Sequence, residues 1–170
     1  MSKPTYINEQ LLTTNLFVNA SQVNKNIDNV IKDNLKEQIE GLCYEDGYII
    51  KDSVKIIHKS MGKIVVNDNI SSVTYSIRYK ADVISPTEGD VIESYVSNIN
   101  KMGVVSYIKL SDGDSADESP IVIMIPKEYF EASIHNFDDI HIGQKLNVIV
   151  VGSRVKYRSE KIQIIAKLSE

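Results

Sequence analysis

Ser72-Val73-Thr74-Tyr75-Ser76-Ile77-Arg78-Tyr79-Lys80-Ala81-Asp82-Val83 alternates without a break: every odd position is apolar and every even position polar. A period of two held this long predicts a strand with one buried face, and that face needs a cover. The cover lies upstream. Val23, Ile27, Val30, Ile31, Leu35 and Ile39 recur at steps of three and four, with Lys25, Asp28, Lys32, Asp33, Lys36, Glu37 and Glu40 on the other faces. That spacing predicts an amphipathic helix, with Ser21 as its N-cap and Gly41 as its left-handed stop. Residues 11–18 are expected to form a short strand. The run 54–66, interrupted by Gly62, reaches the alternating strand through Asn67-Asp68-Asn69, whose turn chemistry suits an antiparallel hairpin. The first half is therefore expected to be one helix packed on a small antiparallel sheet.

Pro86 and Gly89 then reset the pattern. Five short apolar runs follow, at 91–99, 104–110, 121–125, 146–151 and 162–168. They are separated by Asn100-Lys101-Met102-Gly103, by the polar loop 111–119, by a stretch with a short helix expected from Lys127 onward, and by 153–160. Five strands with a longer insertion between the third and fourth is the arithmetic of an OB-type Greek-key barrel; a small β-sandwich is the alternative. The expected class is α+β, with an N-terminal domain over 1–86 and a five-stranded OB-type β-barrel domain over 87–170.

The 170 residues carry 19 Lys+Arg against 23 Asp+Glu, a formal net charge of −4. Neither a disordered composition nor an apolar run long enough for a membrane span is present. The N-terminal residues lack the pattern of a secretory signal, and the single Cys43 cannot form an internal disulfide, so a reducing, intracellular compartment is expected. The predominance of Lys over Arg follows AT-rich codon usage and carries no functional meaning. By segment, residues 1–86 are neutral, 87–144 carry −8 and 145–167 carry +5.

Catalysis is not expected. His58, His135 and His141 lie in separate segments without a second ligand at helical spacing, and no Gly-rich phosphate loop or G-x-S-x-G elbow occurs. The acidic loop 112–118 fails the calcium-loop pattern, because Asp117 and Ile123 stand where a Gly and a bidentate Glu would be needed. It is expected to be a solvated hairpin loop. No cofactor and no metal ion are expected. The basic segment holds Lys145, Arg154, Lys156, Arg158, Lys161 and Lys167 against Glu160 alone. Phosphate contact is its functional reading, with Tyr157, Tyr95 and Tyr107 available to stack on single-stranded bases; a solvated basic hairpin and core tyrosines are the structural alternative.

Several short motifs run in order along the chain: Leu35-Lys36-Glu37-Gln38-Ile39-Glu40-Gly41-Leu42-Cys43 followed by Gly47-Tyr48-Ile49-Ile50, then Met61-Gly62-Lys63-Ile64 and Ile77-Arg78-Tyr79-Lys80-Ala81-Asp82-Val83. Pro86, Gly89-Asp90-Val91-Ile92 and Val151-Gly152-Ser153-Arg154-Val155 complete them. Together they resemble the large stalk subunit of multisubunit DNA-directed RNA polymerases, the family of the seventh subunit of eukaryotic RNA polymerase II and its archaeal counterpart. The AT-rich signature leaves room for a viral version. One departure is Met102-Gly103-Val104, where the family commonly has H-G-F with an aromatic able to stack on RNA.

The resemblance implies a non-catalytic subunit whose N-terminal tip docks on the polymerase core, beside a small helical stalk partner, while the OB domain meets nascent RNA. Tyr44, Glu45, Asp46, Gly47, Tyr48, Ile49, Met61, Gly62, Lys63 and Ile64 carry over as core-docking candidates, although Gly47 and Gly62 suit simple bends as well. Arg154 matches an RNA-contact position, and Lys156, Tyr157, Arg158, Tyr107 and Lys101 complete the RNA-binding candidates. No membrane partner is expected. The compartment would be the nucleus for a cellular eukaryotic protein, and the cytoplasm, a viral factory or a virion for a large DNA virus. A stand-alone single-stranded RNA-binding OB protein of translation or RNA metabolism is the alternative.

Overall fold

The computed structural model describes residues 4–131 and 136–169; His135 lies outside them. In chain order the elements are β1 (Ile7–Asn19), α1 (Ile27–Ile39), β2 (Cys43–Tyr44), β3 (Gly47–Ile49), β4 (Lys55–Lys59), β5 (Lys63–Asn67), β6 (Ile70–Ile84), β7 (Val91–Asn100), β8 (Gly103–Tyr107), β9 (Ile121–Pro126), α2 (Glu128–Glu131), β10 (Lys145–Arg154) and β11 (Ile162–Leu168). They fall into two compact units that interleave in sequence. One comprises Met1–Ile7, Leu42–Tyr48 and Ile84–Glu170, the other Asn8–Gly41 and Ile49–Val83.

In the second unit, β6 is the organising strand. Its odd positions Val73, Tyr75, Ile77, Tyr79, Ala81 and Val83 are all buried, as the alternation requires. Both β4 and β5 pair antiparallel with it, β4 from Lys55↔Lys80 to Lys59↔Ile77 and β5 from Lys63↔Thr74 to Asn67↔Ile70. β1 is also hydrogen-bonded to β6 and buries Leu16 and Val18. The β5–β6 turn has Asp68 at φ 48° and Asn69 at φ 65°, the pair of positive φ angles that a two-residue hairpin turn demands. α1 buries Ile31 and Leu35, and its Asp28 carboxylate meets the Lys59 ammonium of β4 at 2.6 Å. Truncating a fully buried side chain such as Ile77 or Leu35 to Ala would cost about 2–5 kcal/mol.

The helix starts later than its spacing predicts. Ser21 is not its N-cap: residues Ala20–Gln22 form a separate 3-10 turn, and Asn26 stands at the N-cap of α1. The cause is local. The Asn19 side-chain oxygen accepts from the Ser21 amide and hydroxyl, and the Asn24 oxygen accepts from the Asn26 amide. Asparagines bonded to nearby backbone in this way compete with helix formation, so Val23 is left outside it and exposed. At the other end Gly41 takes φ 73°, the left-handed stop, and its amide donates to Ile49 O at 2.9 Å.

The other unit contains a closed barrel with strand order β10-β11-β9-β8-β7. All its pairings are antiparallel except β11 with β9, which is parallel. Taking β7 to β11 as first to fifth, the order is first-second-third-fifth-fourth and back to first, the five-stranded OB-type Greek key rather than a sandwich. Ile92, Val96, Val104, Ile121, Ile123, Ile125, Val148, Val150, Ile162 and Ile164 fill the interior. Ser94 and Ser106 also face inward; the Ser94 hydroxyl donates to Leu146 O at 3.1 Å. β8 stops at Tyr107 rather than Leu110, because the next amide, Ile108, donates to the Ser119 hydroxyl instead of to a strand. Gly103 opens β8 so close to β9 that a Cβ there would run into the Ile125 carbonyl oxygen. No helix of the described residues is long and apolar enough to cross a membrane.

Candidate nucleic-acid interface

The barrel register sets Arg154, Tyr107, Tyr95 and Lys145 in one row across neighbouring strands. On the outside, Arg154 pairs with Gln163, Gln163 with Val122, Val122 with Tyr107, Tyr107 with Tyr95 and Tyr95 with Lys145. The row leaves β10 at Arg154 and returns to the same strand at Lys145, the stagger that closure of a tilted barrel imposes. With strands about 4.8 Å apart, Arg154 and Tyr107 lie three strand spacings, about 14 Å, from each other along it. The second and third strands of an OB barrel, with the loops joining strands one to two and four to five, are its usual oligonucleotide surface. Those elements are here β8 and β9, the turn with Lys101 and Met102, and the loop 155–161.

Lys156, Tyr157, Arg158 and Ser159 form the turn of that last loop, with the Ser159 amide donating to Lys156 O at 3.0 Å. Arg158 sits third in the turn at φ 63°, a left-handed position normally given to Gly or Asn. Holding a non-glycine residue there costs roughly 1–2 kcal/mol, and neighbouring bonds hold it. The Arg158 amide donates to Cys43 O at 2.8 Å, and the Cys43 amide donates to Ser159 O at 2.8 Å. At the base of the loop the Ser159 hydroxyl donates to Lys161 O at 2.8 Å, and Lys161 Nζ donates to Ala116 O of the acidic loop at 3.1 Å. The side chains of Arg154, Lys156, Tyr157 and Arg158 are all exposed.

Tyr107 and Tyr95 are half-buried, with ring centroids 6.1 Å apart, and Lys109 Nζ lies 4.4 Å from the Tyr95 ring centre. Lys145 is paired with Glu93 at 3.0 Å, which holds its ammonium above the ordinary lysine range. Lys101 is exposed, but in the β7–β8 turn, at the end of β8 opposite Tyr107. Met102 is exposed beside it. In the acidic loop, hydrogen bonds from the Ser111 hydroxyl and amide and from the Leu110 amide to Asp114 lower its carboxyl below the usual range. Among the described residues no group of His, Cys, Asp and Glu has the arrangement to hold a metal ion.

The docking candidates divide between exposed and buried positions. Glu45 and Asp46 are exposed at the tip of the β2–β3 hairpin, Tyr44 is half-buried, and Gly47, Tyr48 and Ile49 are buried. Burial, helped by Asp46 for Tyr44 and by Cys43 and Glu160 for Tyr48, raises both phenols above their ordinary range. Burial alone pushes the Cys43 thiol up to about 11. Met61, Gly62, Lys63 and Ile64 are all exposed, Met61 at 93%. A Cβ on Gly62 would come within 2.5 Å of Val73 Cγ1, so packing against β6 constrains that position. Val65, Val66 and Ile70 in the same β5–β6 hairpin are exposed as well and were not among the sequence candidates. Their signal was the unbroken Ile64-Val65-Val66, which lacks the alternation of a strand with one core face.

No protein-family model matches the chain. Curated relatives do. A putative DNA-directed RNA polymerase subunit of Acanthamoeba polyphaga mimivirus is 24% identical over 159 residues, 87% of this chain and 74% of that protein. The chain is similar to DNA-directed RNA polymerase subunits. The RNA polymerase II subunit RPB7 of Glycine max is 27% identical over 94 residues, 55% of this chain and 52% of that protein. Subunit 7 of the Arabidopsis thaliana RNA polymerase II is 24% identical over 118 residues, 69% of this chain and 60% of that protein. The chain thus spans about half to three quarters of the length of these relatives.

Proposed function

We propose that this chain is a non-catalytic stalk subunit of a multisubunit DNA-directed RNA polymerase, in a viral version related to the RPB7-like proteins. The observation that carries the reading is the combination of an OB-type barrel with similarity to polymerase subunits across both units of the chain. Residues 1–86 act as the tip domain and 87–170 as the OB domain. The tip docks on the polymerase core through the β2–β3 hairpin and through 61–64, next to a small helical partner protein. A β5–β6 hairpin that exposes Ile64 and Val66 on one face and Val65 and Ile70 on the other supports this, because a concentration of exposed aliphatic side chains in one short element marks an interaction surface.

The OB domain contacts nascent RNA through Arg154, Lys156, Tyr157, Arg158, Tyr107 and Lys101. Charge and stacking in this surface support weak, sequence-tolerant binding rather than base-specific readout. The compartment is that of the polymerase, which for a large DNA virus is the cytoplasm, a viral factory or the virion. Affinity purification of the tagged chain from its native source tests the reading: the largest polymerase subunit and a small helical protein are expected to co-purify. RNA binding without any polymerase would favour the stand-alone OB protein instead.

A further inference from the structure

We infer that the β2–β3 hairpin is part of the RNA site itself: Cys43 positions Arg158, so docking at the hairpin and RNA binding at the barrel loop are energetically linked. The inference rests on the reading of the loop 155–161 as an RNA contact.

Three observations converge on it. Arg158 holds a left-handed backbone conformation that its own side chain disfavours, in a segment outside any strand. Its amide is satisfied by Cys43 O and by nothing in its own loop, while the adjoining Ser159 carbonyl takes the Cys43 amide in return. Cys43 is buried at 3% exposure and paired to Tyr48 across the hairpin. The Tyr48 phenol, also buried, lies in the field of Glu160 in the same basic loop. Main-chain bonds thus set where the Arg158 guanidinium projects, and any shift of the hairpin moves the loop. Linkage makes the effect reciprocal: a protein partner that stabilises the hairpin raises RNA affinity by the factor by which RNA raises that partner's affinity.

The full chain and a fluorescent single-stranded oligouridine at low salt provide the test. Cys43→Pro removes the amide that donates to Ser159 O, and is expected to weaken RNA binding about three- to tenfold, the worth of one hydrogen bond. Arg158→Glu is expected to weaken it at least as much. Hydrogen exchange of the wild-type chain gives a readout that survives misfolding of the proline variant: RNA should slow exchange at Cys43 and Tyr44 as well as at Arg158. Binding unchanged in a folded Cys43→Pro while Arg158→Glu loses it, or RNA protection confined to the loop, overturns the inference alone. A wild-type chain that binds no RNA overturns both the inference and the reading beneath it.

Discussion

Arg158 and Cys43, more than a hundred positions apart in sequence, are bonded through the main chain: the Arg158 amide donates to Cys43 O at 2.8 Å. Next to it the Cys43 amide donates to Ser159 O at the same distance. A residue in the stretch resembling the family's tip loop is therefore a structural support of the most basic loop of the barrel. The two segments that the sequence reading treats as separate candidates, one for docking and one for RNA, are joined by two main-chain hydrogen bonds.

Charge at the loop sets the RNA prediction. If Arg154, Lys156 and Arg158 each meet a phosphate, log affinity should fall against log salt with a slope of about −2. Arg154→Glu should lower affinity severalfold and flatten that slope by about 0.7 or more, read by fluorescence anisotropy across a salt series. An unchanged slope would remove Arg154 from the site.

Alkaline pH should destabilise the fold through its buried thiol and phenols. The folded Cys43 thiol titrates near 11, while an exposed thiol ionises at lower pH, so the unfolded state loses its proton first. The stability it contributes is complete below the unfolded value and is lost as pH rises toward 11. Tyr6, Tyr44 and Tyr48, also raised, act in the same direction at higher pH. Thermal melts at pH 7, 9 and 10.5 should show a progressive fall in Tm, and native Cys43 should react with iodoacetamide far more slowly than the unfolded chain.

Packing at Gly103 gives a stability test without RNA. Its φ is 151°, and a Cβ would press on the Ile125 carbonyl that belongs to the neighbouring strand. Gly103→Ala should cost about 2–3 kcal/mol, a Tm drop on the order of 5–10 °C. The adjacent exposed Met102→Ala should stay within about 0.5 kcal/mol of the parent.

Much of this architecture was legible because period two and period 3.6 are local signals. The 72–83 alternation gave β6 its buried face, and the five apolar runs matched the five barrel strands. The start of α1 was not legible, since Ser21 and Asn26 are both acceptable caps and the choice depended on which asparagine captured which amide. The basic residues of the candidate site were visible as charge. Their support was not: Cys43 contacts Arg158 and Ser159 through backbone atoms, which every residue type carries, so no side-chain pattern marks the contact. The exposure of Val66 was marked only by the unbroken Ile64-Val65-Val66, and that of Ile70 by nothing, because an apolar strand looks much the same in sequence whether a core or a partner covers it.

The β5–β6 hairpin separates docking from folding. Val66 is 68% exposed, so Val66→Glu should leave Tm within about 2 °C of the parent, the usual outcome at an uncovered surface site. In pull-downs the same variant should recover at least about tenfold less polymerase, as loss of a buried interface residue does. Parental recovery would exclude the hairpin from the docking surface.

Co-purification from the native source decides the assignment as a polymerase subunit. A tagged chain expressed at its natural level should elute with the two largest polymerase subunits and a small helical protein in near-equal amounts, through gel filtration at moderate salt. Elution of the chain alone, with RNA or without it, and with no polymerase subunit in any fraction, would contradict that assignment.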